Sequence, residues 1–143
     1  MSTLRLAYDR LCPELTQTLR SMVTQLEQSS LGVPLIELIY QRVSQINGCA
    51  FCLDKHSRVL RSHGETNQRL DTLAAWRDSR HFEAREKAAL AWAEAITHVA
   101  VSHPADAIYL PLKEHFTEVA ITELTFAIVT MNALNRLVIS LGR

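Results

Sequence analysis

Glycine and proline are scarce in this chain, four of each among 143 residues, so long helices with few tight turns are expected. Net charge is absent: 15 Lys and Arg balance 15 Asp and Glu. No block of basic residues stands out, so nothing in the charge points to nucleic acid or to an anionic membrane surface. Met1 to Arg10 contains no apolar signal-like run, and the long apolar stretches downstream are interrupted by Glu123, Asn132, Asn135 and Arg136. Neither export nor a membrane span is expected, which makes the cytoplasm the expected compartment. Cysteine is rare too, and three residues cannot make an evenly paired disulfide framework. In a reducing compartment two cysteines set close together point instead to catalysis or metal binding.

What is present reads as helix throughout, in a single domain spanning residues 1–143. Pro13 opens a helix whose apolar residues Leu15, Leu19, Met22, Val23 and Leu26 recur on one face. After a loop at Gln28 to Val33, Pro34 starts a second helix through Ile46, which Asn47-Gly48 ends as a left-handed cap. A third begins at about Cys49 and stops near Gly64. Thr66 caps a short fourth helix with Leu70, Leu73 and Trp76. A fifth is expected over about Glu83 to Val101, and a sixth from Pro104 to near His115. Thr117 caps the last helix, about Glu118 to Leu141, whose apolar residues cover nearly its whole circumference. Such a helix is expected to be buried on all sides, in the core and against another subunit, hence a homo-oligomer. Cys12, Trp76 and Trp92 are read as packing residues. Asn132 and Asn135 interrupt the apolar helix and need partners inside.

The chemistry concentrates between Glu37 and His56. Cys49 and Cys52 form a C-x-x-C directly after Asn47-Gly48, and His56 follows four residues later. On a helix these three positions lie within roughly 60° of one another, so both sulfurs and the imidazole share a face. The first turn of a helix offers unpaired N–H groups and partial positive charge, which favour a thiolate. His56 can take the proton. Residues three apart are neighbours and can close a disulfide, so attack by one thiolate and resolution by the other is the expected work. Glu37 falls about level with His56 if the two helices pair around the turn, where it could orient the imidazole. It also shares a stripe with Tyr40, Gln41 and Ser44, which reads equally well as a solvated face. Two buried thiols that merely pack, or a metal site using Cys49, Cys52, His56 and either Glu37 or Cys12, are the plainer alternatives. A thioredoxin-like reading lacks the βαβ pattern it needs.

Glu37, then S-Q-I-N-G-C-A-F-C at positions 44 to 52, then His56, resembles the signature of the alkylhydroperoxidase AhpD-like group within the carboxymuconolactone decarboxylase family. Weaker similarity runs through Ala89 to Glu94 and Glu123 to Ile128 to Asn132 to Arg136. The resemblance implies an all-α, AhpD-like domain of six to seven helices that assembles into trimers or hexamers, with thiol-dependent peroxidase or disulfide reductase activity. It implies that Cys52 attacks the peroxide, Cys49 resolves, and Glu37 with His56 relays the proton. No cofactor or metal is expected beyond the redox-active Cys49–Cys52 pair. Electrons would come from an external dithiol of the lipoyl type, with a peroxiredoxin as a further partner. Some members carry a histidine directly before the second cysteine, where this chain has Phe51, so its relay would have one imidazole. The alternatives within this frame are a non-redox decarboxylase-like enzyme acting on a lactone, and a redox-sensing or metal-binding module without turnover.

Overall fold

The computed structural model describes residues 4–142, and among them every regular element is helical. A single turn, α1 (Tyr8–Leu11), leads into α2 (Pro13–Glu27), α3 (Val33–Asn47) and α4 (Ala50–Ser62). Then come α5 (Asn67–Thr72), a 3-10 turn at Leu73–Ala75, and α6 (Ala84–Thr97). Two further single turns, α7 (Asp106–Tyr109) and α8 (Leu112–His115), precede α9 (Glu118–Leu141).

The centre of the domain is α3, which packs against α9, α4 and α6. Its run of Leu35, Ile36, Leu38, Ile39, Tyr40 and Val43 is buried, as expected of a helix covered on several sides. The stripe that sequence periodicity left open as a solvated face is covered as well: Glu37, Gln41 and Ser44 are all buried. Leu60, Leu73, Leu90, Leu112, Leu124 and Ile128 complete the core around α3 from the other helices.

Several expectations are corrected. The segment from Pro104 to His115 is two single turns and not one helix, because Pro111 supplies no N–H to continue the ladder and caps the second turn. The helix expected to reach Val101 stops at Thr97, leaving Val99 and Val101 exposed. Thr97, Val99 and Val101 are β-branched, which lowers helix propensity there. On α2 the stripe is covered unevenly, since Leu26 is buried but Leu15 is 70% exposed. Cys12 is an exposed residue at the start of α2 and packs against no core. In the single chain α9 is buried along one side only: Ile121, Leu124, Ile128 and Met131 face inward, while Val119, Phe126, Val129 and Ile139 are exposed. It is long and apolar enough to cross a membrane by length and composition, yet Glu118, Glu123 and Arg136 and its packing on α3 and α6 mark a helix built into the domain.

Two polar hubs fasten the outer elements. Arg69 of α5 bonds Glu65, Glu86 of α6 and the carbonyl of His81, with its guanidinium 4.6 Å from the Phe82 ring centroid. Glu94 of α6 accepts from Arg42 of α3 (3.0 Å), Trp76 (2.8 Å) and Arg77 (2.6 Å). Burial alone would raise the Glu94 carboxyl, but the hydrogen bonds from Trp76, Arg77 and Arg42 outweigh it and hold the group below the ordinary carboxylate value. A carboxyl depressed in the folded state stabilises fully above its unfolded value of 4.5 and loses that contribution as pH falls through the folded one. Glu94→Gln is therefore expected to lower Tm at neutral pH and to flatten the fall of Tm below pH 4.5. Thermal melts of both proteins across that range check this, and parallel acid limbs would refute it.

Candidate active site

The site begins where α3 ends. Gly48 adopts the left-handed conformation, φ 70° and ψ 39°, which would cost any residue with a Cβ about 1–2 kcal/mol. Its N–H and that of Cys49 both bond the Ser44 carbonyl, which closes the helix and redirects the chain. Cys49 then stands as the N-cap of α4, one residue earlier than a place within the first turn, and its Sγ accepts the Cys52 N–H at 3.3 Å. A sulfur thus does what a serine or aspartate oxygen does at other helix starts.

Cys49 and Cys52 are joined as a disulfide with their Cα atoms 5.3 Å apart. One turn further along α4, His56 is buried, and its Nδ1 lies 2.7 Å from Oε2 of Glu37 across on α3. The structure therefore brings together all four residues singled out in the sequence. With Nδ1 facing a carboxylate, Nε2 is the ring nitrogen left to exchange a proton. The Tyr40 ring packs on the imidazole, 5.3 Å between centroids. Burial, and then the nearby Glu37 charge, push the Tyr40 phenol far above its ordinary value, so it stays protonated and cannot serve as a base. His63, at the C-cap of α4, is exposed and bonds the Val59 carbonyl at 3.0 Å. Among the described residues no group of three or more His, Cys, Asp or Glu side chains is placed to hold a metal ion.

The profile of the carboxymuconolactone decarboxylase family matches residues 13–95, which include α2, α3, α4 and all four of these residues. The chain is 38% identical over 138 residues to YdfG, an uncharacterised protein of Bacillus subtilis, covering 96% of this chain and 94% of that one. The chain belongs to the carboxymuconolactone decarboxylase family. Within that family it is AhpD-like: it superposes with a TM-score of 0.93 and 32% identity on ATU0492 of Agrobacterium tumefaciens, a protein of unknown function named as a candidate antioxidant defence protein AhpD, with 97% and 95% of the two chains covered. A peroxidase-related protein of Silicibacter shares the fold at 24% identity and a TM-score of 0.78, covering 87% of this chain and 66% of that one.

In this AhpD-like chain a cavity of about 300 Å³ opens beside the disulfide. Cys52 and His56 line it and Cys49 does not. Its walls come from Tyr8 at the start of α1, from Arg20, Val23 and Thr24 of α2, from Phe51 and Lys55 of α4, and from Met131, Leu134 and Val138 of α9. Sequence reasoning missed these residues. Lys55 had a signal, since positions 51, 52, 55 and 56 form one stripe on a helix, but nothing local ties Arg20 or Leu134 to the cysteines.

The two asparagines of α9 hold the turn in place. Asn135, fully buried, donates to Ser44 Oγ (3.1 Å) and accepts from Asn47 Nδ2 (3.1 Å). Asn132 accepts from the same Asn47 amide at 3.0 Å and donates to Thr97 Oγ1 at 3.1 Å. They tie the end of α3, two residues before Cys49, to the middle of α9. Asn135→Leu would leave the Asn47 and Ser44 groups short of a partner, a loss of about 1–3 kcal/mol. Urea denaturation is expected to show that loss, and an unchanged midpoint would mean that the network carries no load.

Proposed function

We propose that the chain is a thiol-dependent peroxidase of the antioxidant type, cycling between a Cys49–Cys52 dithiol and the disulfide. The observation that carries this reading is the buried 2.7 Å contact of Glu37 with His56, at a cavity whose wall also holds Cys52. In the reduced protein His56 Nε2 takes the Cys52 proton, with Glu37 supporting the positive imidazole. The Cys52 thiolate attacks the outer peroxide oxygen, and the O–O bond breaks. The departing alkoxide takes a proton from His56 and leaves as the alcohol, while Cys52 becomes a sulfenic acid. Cys49 attacks that sulfur, the S–S bond forms, and the hydroxyl leaves as water with the Cys49 proton. An external dithiol then reduces the disulfide and is itself oxidised to a disulfide. The proposed donor is of the lipoyl type, with a peroxiredoxin as a further partner, and the proposed setting is the cytoplasm.

The proposed assembly is a homo-oligomer, a trimer or hexamer. It is supported by Val119, Phe126 and Val129, which form an exposed apolar stripe along α9. Sedimentation of the chain as a monomer would remove this part of the reading.

Thiol titration before and after stoichiometric peroxide tests the chemistry. Wild type is expected to lose two thiols, and Cys49→Ser to accumulate a Cys52 sulfenate that a dimedone-type reagent traps. Glu37→Gln, which keeps the size and removes the charge, is expected to slow peroxide consumption by about tenfold to a hundredfold, less than the roughly 10²–10⁴-fold of a direct acid–base group because Glu37 acts through His56. Wild-type thiols that survive peroxide would sink the peroxidase reading.

A further inference from the structure

The lining of the cavity beside Cys52 has an unbalanced charge. Arg20 of α2 and Lys55 of α4 both contribute to it, and no Asp or Glu does. Neither cation forms an ion pair within 4 Å among the described residues. Cations without a carboxylate partner are common among the described residues, Arg61, Arg80 and Lys113 among them, so what sets these two apart is their shared place on one cavity that no acid lines. A second concavity, beside Arg69, shows the contrast: it contains Glu65, Glu83 and Glu86 along with its two arginines. Arg20 and Lys55 are exposed, whereas the apolar members of the lining, Val23, Phe51, Met131, Leu134 and Val138, are buried or half-buried and form the deeper wall.

From this arrangement we infer that the site selects an organic hydroperoxide that carries a carboxylate on a medium-length apolar chain, with Arg20 and Lys55 receiving the carboxylate at the rim. The inference rests on the peroxidase reading for its reaction and on the cavity for its selectivity. About 300 Å³ lies at the small end of the volumes that hold small-molecule ligands, roughly 300–1,000 Å³. That room suits a medium chain folded against Met131, Leu134 and Val138, with its O–O group next to Cys52. Both cations are exposed, so each acts through partly screened attraction and fixes orientation more than it adds affinity. A carboxylate held at the rim sets which end of the molecule reaches the sulfur. A neutral hydroperoxide of the same length enters in either direction.

The test compares a medium-chain hydroperoxy acid with its methyl ester, which differs in charge and hardly in length. Wild type is expected to prefer the acid by roughly tenfold in kcat/KM, the scale of two modest ion contacts acting together. The acid-to-ester ratio should fall towards one in Arg20→Gln/Lys55→Gln, and in wild type as salt is raised. A second readout needs no turnover: calorimetric binding of the corresponding plain medium-chain carboxylate to the oxidised wild-type protein, roughly tenfold weaker for its methyl ester. Equal kcat/KM for acid and ester in wild type overturns the inference and leaves the peroxidase reading standing. Carboxylate binding to the oxidised protein, lost in the double variant, with no consumption of any peroxide, does the reverse. Absence of both the preference and the binding overturns the carboxylate site.

Discussion

A carboxylate desolvated on a helix that its neighbours cover on several sides is unfavourable unless something answers it. In this chain the answer to Glu37 is His56. Both are buried, with only 6% of each exposed, and the 2.7 Å contact joins α3 to α4 at a fixed register. Everything chemical follows from that register. It leaves Nε2 as the ring nitrogen that the proposed cycle uses, and it sets the imidazole one helical turn from Cys52. Tyr40 closes the space behind the ring and, being buried beside Glu37, keeps its proton. The pair is weak ground for a claim about stability, since replacing two buried polar partners by apolar ones is often neutral. Its value lies in orientation.

The rest of the fold serves the turn between the two helices. Gly48 ends α3 in a conformation that other residues resist, and Cys49 begins α4 with its own sulfur as the cap. Asn47, at the hinge of this reversal, is gripped by two asparagines from α9. The long helix therefore has two jobs. It contributes Leu124, Ile128 and Met131 to the core and, through Asn132 and Asn135, it fixes the backbone from which the cysteines project.

Much of this was legible in the residues because it is local. The left-handed glycine, the C-x-x-C at a helix start and the histidine one turn later are all written within a dozen positions. Glu37 was harder. Its stripe with Tyr40, Gln41 and Ser44 is polar enough for a wet face, and only the placement of α4 and α9 over it decides that it is dry. The break at Pro111 carried a readable signal, whereas the exposure of Leu15 and Phe126 did not, because periodicity marks an apolar face without naming what covers it. The cavity was the least legible feature. Its walls come from α2, α4 and α9 and from Tyr8, so no window of sequence contains it.

The two sulfurs are chemically alike and structurally unequal, and that inequality shapes the proposed cycle. Both are buried, with 4% of Cys52 and 1% of Cys49 exposed, but Cys52 lines the cavity and Cys49 does not. Thiol–disulfide exchange needs an approach to one sulfur and a good leaving group in the other. A reductant entering the cavity meets Cys52, and the sulfur it expels is Cys49. That leaving thiolate keeps the hydrogen bond its Sγ already receives from the Cys52 N–H, at a helix terminus whose partial positive charge favours an anion. On this reading oxidant and reductant are handled by the same sulfur through the same opening, and the helix start stabilises whichever thiolate the step requires. Peroxide and dithiol then compete for one space. The residues at its rim govern both halves of the cycle, not the peroxide step alone.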